Sequence, residues 1–225
     1  MIQKILFAGI DGSGKSTCLD LLISRLESQY SIIKVGNGDP YLYFRGERRL
    51  AIKNRCYWIM SYMRPISKRY HFHGLFLIGN FLYKFLLLKY VELLKTCDLI
   101  MYETDVLLHP AVYITYHFPF SKRITPNLRL KLVNMLSGSK RNCSIFYLDT
   151  DPELAMERIY ERGADIHEHE NPRDLCTLKR EFDSIVEVAL KNGFRIFRIS
   201  TNHKTMDEVA DDIQMILETR LSRAG

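Results

Sequence analysis

A chain of 225 residues, 47% hydrophobic and 26% charged, has the length for one α/β domain with a sizeable core and the make-up of a globular rather than a disordered protein. Five cysteines, Cys18, Cys56, Cys97, Cys143 and Cys176, include no C-x-x-C pair, and their odd number argues against a disulfide framework, so they read as reduced thiols. The net charge of +6 is a modest basic excess, and the start of the chain carries no signal-peptide pattern, so the cytoplasm is the expected compartment.

Residues 2–8, IQKILFA, predict a short strand whose apolar content without strict alternation suits a parallel sheet covered on both faces. GIDGSGKS follows, Gly9 to Ser16, and matches G-x-x-x-x-G-K-[ST]. Glycines let the main chain turn through unusual dihedrals and bring its N–H groups against phosphate oxygens. The helix that follows points its positive end at the same anion. On this reading Gly9, Asp11, Gly12, Ser13, Gly14, Lys15, Ser16 and Thr17 form a site for ATP. Lys15 reaches the β- and γ-phosphates, and the Ser16 hydroxyl binds Mg²⁺. Asp11 is a carboxylate beside bound phosphates, an unfavourable position unless it meets Mg²⁺-bound water, the acceptor or the loop backbone; it is counted as a catalytic candidate with Lys15. Residues 15–30 predict a helix, with Leu19, Leu22, Ile23 and Leu26 on one stripe.

SIIKV (31–35) predicts a second strand, ended by the turn chemistry of GNGDP. The segment 41–95 stands apart. It holds eleven basic residues against two acidic ones, a local excess of +9, and so leaves the remainder of the chain at −3. Half of the aromatic residues, with the single Trp58, lie there too. It is expected to be a basic, aromatic helical insertion on the acceptor side. Arg45, Arg48, Arg49, Arg55, Arg64 and Arg69 are its candidates for a phosphate clamp. Tyr41, Tyr43, Phe44, Tyr57 and Trp58 either stack on a base or fill a core. Within it, GLFLIGNFLYKFLLLKYVELLK (74–95) has the length of a membrane span. Lys84 and Lys89 would each cost about 2.5–3.5 kcal/mol near a bilayer centre, so a buried helix is expected instead. Interleaving of basic with apolar residues argues against nucleic acid as a partner. His71 and His73 have no acidic partner near in sequence and read as surface or packing residues.

CDLIMYE (97–103), NCSIFYLD (142–149) and FRIFRIS (194–200) predict three further strands, with helices near 127–137, 152–163, 174–192 and 206–221. Strand–helix alternation predicts an α/β, doubly wound, three-layer fold around a parallel five-stranded sheet, one domain over 1–225. Glu103, at the end of the third strand, is a metal candidate. Phosphoryl transfer needs positive charge over developing negative oxygens, and Ser13 leaves none from the loop's variable position. Arg158 and Arg162, four apart on one helix face, are the catalytic candidates for that charge; the alternative is surface pairing with Glu161 and Asp165. HEHE (167–170) reads as a solvated loop rather than a metal site.

GIDGSGKST resembles the nucleotide loop of thymidylate kinases and related nucleoside monophosphate kinases. YLDTDPELAMERIYERGADIHEHENPRDL (147–175) is similar to that family's passage from its fourth strand through the lid, with Arg158, Arg162, Gly163, Asp165 and Glu168 on matching positions. ISTNHKTMDEV (199–209) resembles its adenine loop and last helix. The resemblance implies an ATP-dependent kinase with Mg²⁺, a lid over 158–175, a dTMP-like acceptor and a homodimer.

The acceptor half departs from the family. There the third strand ends in Asp-Arg; here it reads Tyr102-Glu103-Thr104-Asp105, with no arginine. The family's arginine near a Glu-Pro after the second strand is replaced by Asn37-Gly38-Asp39-Pro40, and Lys84 is the one basic residue near its next basic position. The acceptor therefore stays open between a nucleoside monophosphate and another small molecule, with a nucleotide-binding protein lacking turnover as the alternative.

Overall fold

The computed structural model describes residues 2–36, 40–50, 79, 82–83, 86–87, 89–93, 97–103, 108–117, 124–137, 143–163 and 170–221, with the backbone alone at 114–117, 135–137 and 221. Strands β1 (Gln3–Ala8), β2 (Ile32–Val35), β3 (Tyr41–Phe44), β4 (Glu47–Leu50), β5 (Leu99–Tyr102), β6 (Cys143–Asp149) and β7 (Ile196–Ser200) form one sheet. Their order is β4-β3-β2-β5-β1-β6-β7. β2, β5, β1, β6 and β7 run parallel, at the five places where strands are expected. Among the described residues, the helices with defined bounds that flank them are α1 (Lys15–Leu26), α2 (Leu108–His117), α3 (Pro126–Ser137), α4 (Pro152–Glu161), α5 (Pro172–Lys191) and α6 (Met206–Leu221).

Alternation along each inner strand explains its continuous apolar run. Ile5, Phe7, Leu99, Met101, Phe146 and Leu148 face α1 and α6. Their neighbours Leu6, Ala8, Ile100, Tyr102, Ile145 and Tyr147 face the opposite layer, built from α2 to α5. A strand covered on both sides has no polar face to offer. The C-terminal ends of the strands, which carry the glycine loop, are thereby held by two packed layers.

Two elements differ from the sequence reading. Residues 41–50 form an antiparallel hairpin rather than helix, with Tyr41 opposite Leu50 and Phe44 opposite Glu47. Its two-residue turn has φ 50° at Arg45 and 76° at Gly46, the sign that matches hairpin twist. β4 is exposed throughout, and its charged residues suit an edge strand that must not recruit another. A buried helix is expected over 74–95, and the described residues of that range are buried only in part. Among its described helical residues Val91 is buried, Leu87 packs on the core and Glu92 pairs with Lys4 at 2.6 Å. Leu82, Leu86, Tyr90 and Leu93 are exposed. Among the described residues no helix is long and apolar enough to cross a membrane. Trp58, Arg55, Arg64, Arg69, His71, His73 and Lys84 lie outside the described residues.

A charge network locks α5 and β7 to β6. Lys179 reaches Asp149 at 2.7 Å and Asp183 at 2.6 Å, and Arg198 reaches the same two carboxylates at 2.6 Å each. Burial opposes ionisation of Asp149, but hydrogen bonds from Lys179 and Arg198 outweigh it and hold its carboxyl below the usual range. Cys18, Cys97 and Cys143 are buried free thiols and Cys176 an exposed one. Burial pushes Cys18 up to about 12 and Cys97 to about 11, so both are inert as nucleophiles.

Candidate active site

The loop 9–14 leaves β1 and enters α1 with its N-cap, Gly14, in the left-handed region at φ 85°. Two of its glycines are demanded by packing as well as by φ. A Cβ on Gly12, itself at φ 79°, would lie 2.2 Å from the Ala155 carbonyl oxygen in the first turn of α4. On Gly14 it would lie 2.3 Å from the Met206 sulfur at the start of α6. The loop is thus pressed between two helix starts, and the first-turn amides of α1 face outward with no carbonyl partner inside their own helix. Ser13 is wholly buried, and its amide donates to the Ile10 carbonyl at 3.3 Å.

Lys15 folds back over the loop. Its Nζ donates to the carbonyls of Gly9 at 3.0 Å and Ile10 at 2.6 Å and to Ser13 Oγ at 3.3 Å, with Asp11 at 4.0 Å. Burial lowers its pKa; Asp11, Glu103 and Glu170 oppose that. A buried ammonium held mainly by carbonyl dipoles suits an anion brought from outside.

Ser16 Oγ donates to Glu103 Oε1 at 2.5 Å. Glu103 stands just past the end of β5, its amide bonded to the Val35 carbonyl, and its carboxylate lies over the backbone of Gly36. A hydroxyl beside a carboxylate is a hard-oxygen donor set that suits Mg²⁺, an ion that keeps several waters and takes few protein ligands. Among the described residues no cluster of three or more His, Cys, Asp or Glu side chains could hold a metal. The residues present therefore fit Mg²⁺ brought in with phosphate oxygens. Thr17 is exposed on the first turn of α1.

The structure gives each lid candidate a partner that the sequence reading does not name. Arg158 donates to Thr201 Oγ1 at 3.2 Å and the Thr201 carbonyl at 3.1 Å, and so ties α4 to the loop after β7. Thr201 shares a buried 2.7 Å hydroxyl contact with Thr150. Arg162, the C-cap of α4, gives NH2 to both oxygens of Glu170 at 3.0 and 2.9 Å. Glu170 is 2% exposed, which corrects the expectation of a solvated loop for the last residue of HEHE. Asp165 and Glu168 lie outside the described residues.

Beside Asp11 the structure adds two residues that sequence reasoning missed. The Tyr113 hydroxyl, on α2, donates to Asp11 Oδ2 at 3.3 Å, and the His109 ring stacks on Tyr113 at 3.9 Å and 15°. Arg129, 4% exposed on α3, steadies this wall through the Ala111 carbonyl at 3.0 Å and Glu181 at 2.9 Å. A tyrosine and a histidine four apart were the available signal, but no local pattern marked α2 as a helix. Arg45 and Arg48 lie elsewhere. The Arg45 amide donates to Glu27 at the far end of α1, about 18 Å along that helix from the loop. Arg48 covers the Tyr41 ring at 3.8 Å, and Arg49 pairs with Glu47.

No protein-family model matches the sequence, and no curated protein matches it. Solved structures do. A deoxyadenosine kinase from M. mycoides with bound dCTP superposes with TM-score 0.55 at 16% identity, covering 96% of this chain and 99% of its own. The YorR protein of Bacillus subtilis, in complex with phosphorylated GDP, gives 0.53 at 19%, covering 98% of each chain. Thymidylate kinase from Ehrlichia chaffeensis gives 0.57 at 18%, covering 96% and 98%. At these identities the likeness is one of fold. The chain has the thymidylate kinase-like nucleoside monophosphate kinase fold.

Proposed function

We propose that this protein is an ATP-dependent phosphotransferase that moves the γ-phosphoryl of MgATP to a nucleoside monophosphate such as dTMP or to a related small acceptor. One observation carries the reading: a glycine loop pressed between α4 and α6 sets a buried lysine and a Ser16–Glu103 pair at the start of α1. The names of the similar structures support it, since they include kinases of deoxyadenosine and of thymidylate.

In the proposed mechanism the amides of 12–17 bind the β- and γ-phosphates, and Lys15 swings from the Gly9 and Ile10 carbonyls onto their oxygens. Ser16 and Glu103 are the residues that would hold Mg²⁺, and the ion would supply positive charge against the phosphate oxygens. Arg162 meets the phosphoryl in flight, and Arg158 holds the adenine-side loop through Thr201. The acceptor lies between Asp11 and the His109–Tyr113 wall, with its oxygen in line with the γ-phosphorus. Asp11 orients that acceptor, and Tyr113 orients Asp11. A second copy of the chain covers the exposed stripe Leu82, Leu86, Tyr90 and Leu93, and light scattering that returns a monomer at micromolar concentration removes this point.

The test is ADP release from MgATP with single acceptors: dTMP, other nucleoside monophosphates and deoxynucleosides. Release that depends on one acceptor supports the reading. MgATP binding without any acceptor-dependent release replaces it with a nucleotide-binding protein that does not turn over. Absence of MgATP binding removes both.

A further inference from the structure

Glu170 is the buried carboxylate that the mechanism above does not use. It precedes Asn171, which caps α5 by accepting from the Asp174 amide at 3.0 Å, and Pro172 opens that helix. A 20-residue helix, anchored to the sheet by Lys179, therefore fixes its backbone. Arg162, by contrast, sits at the last turn of α4 beside Gly163, and its side chain is 43% exposed. A long side chain at a helix end is costly to hold in one place unless something rigid grips it.

The grip is asymmetric. Both hydrogen bonds that Arg162 gives to Glu170 come from NH2, and among the described residues Nε and NH1 of Arg162 make no contact. The guanidinium is thus anchored at one nitrogen and still offers N–H groups elsewhere on its fork, the arrangement that a bidentate phosphate contact uses. Glu170 also lies within electrostatic reach of Lys15, and so the anchored arginine belongs to the same field as the glycine loop.

We propose that Glu170 is a positioning residue for phosphoryl transfer: it holds Arg162 by one guanidinium nitrogen so that the remaining N–H groups meet the γ-phosphoryl. The inference rests on the reading of the site as one for MgATP. A competing role for the same contact is a stand-in anion, in which Glu170 occupies Arg162 until a phosphate displaces it. The two roles predict opposite signs.

The discriminating measurement is the ratio of MgATP to MgADP affinity by calorimetry, because ADP lacks the group Arg162 would meet. It is made on the full chain for Glu170→Gln, Glu170→Asp, Arg162→Ala and the Gln/Ala double variant. As a positioning residue, Glu170→Gln lowers both the ATP preference and kcat by about tenfold, leaving MgADP affinity and the KM of the acceptor within about twofold. Glu170→Asp falls between, and Glu170→Gln adds nothing once Arg162 is alanine. Retained MgADP binding shows that each variant is folded, and where the glutamine variant does not fold, the aspartate variant carries the same comparison. The proposal is overturned when Glu170→Gln or Glu170→Asp leaves the ratio and kcat unchanged while Arg162→Ala lowers them, and equally when either raises the ATP preference. That result leaves the phosphotransferase reading standing. Wild-type protein without MgATP affinity takes down both.

Discussion

The proposed donor and acceptor sides of the site were assembled under different constraints. On the donor side one stretch, Gly9 to Thr17, brings loop, lysine and hydroxyl together, and its neighbours α4 and α6 press directly on the glycine positions. On the acceptor side Asp11, His109, Tyr113 and Arg129 come from three separate elements, joined by hydrogen bonds and ring stacking. A phosphate tail is the same in every nucleoside triphosphate, so its cradle can be one short local motif. An acceptor differs from one enzyme to another, and its wall is built from side chains distant in sequence.

The comparison breaks most readily at Lys15. Lys15→Met should lower kcat by about 10²–10³, the loss expected on removing one preorganised donor from a dry phosphoryl site, and should weaken, without abolishing, MgATP binding in calorimetry. Its pH dependence sharpens the point. Burial lowers the Lys15 pKa in the ligand-free protein, and phosphates favour its charged form. Binding therefore takes up a proton once the pH exceeds the ligand-free value. MgATP affinity should fall as the pH rises from there towards the ordinary lysine range near ~10.4. A slope that persists in the residual affinity of Lys15→Met would assign it to another group.

Next in size is Glu103→Gln. With Ser16 no longer facing a carboxylate, the Mg²⁺ concentration for half-maximal rate should rise about 10–100-fold, as for the loss of an outer ligand that orients a metal site, with the acceptor KM unmoved. Tyr113→Phe removes one hydrogen bond to Asp11, a net effect of about 1 kcal/mol. The acceptor KM should rise several-fold while the KM for ATP stays constant; the reverse pattern would move Asp11 to the donor side. Arg45→Ala is expected to do least. It stands at the hairpin turn beside the far end of α1, so initial rates should match wild type for every acceptor.

How much of this was legible follows the same divide. β1, β2, β5, β6 and β7 were readable because a strand buried on both faces must be apolar throughout. α5 was readable because Leu175, Leu178, Phe182, Ile185 and Ala189 keep one stripe over about four turns. The hairpin 41–50 was missed although Arg45-Gly46 sits between two four-residue runs; as an edge, its β4 half is charged and exposed and shows no alternation. α2 was missed because LHPAVYITYH carries a proline and β-branched residues, and its helix is held by packing and Arg129 rather than by propensity. Glu170 was misjudged because polar flanks in sequence hide a carboxylate that a capped helix and an arginine bury together.

The sequence alone determined where the glycine loop would lie and that five parallel strands would carry it, because both depend on contiguous residues and on periodicities shorter than one element. Only the tertiary structure decided what Arg158 and Arg162 grip, which wall Asp11 faces and that the hairpin arginines stand at the wrong end of α1. Those contacts join residues between 8 and 102 positions apart, and no local pattern encodes a distance that the fold itself creates.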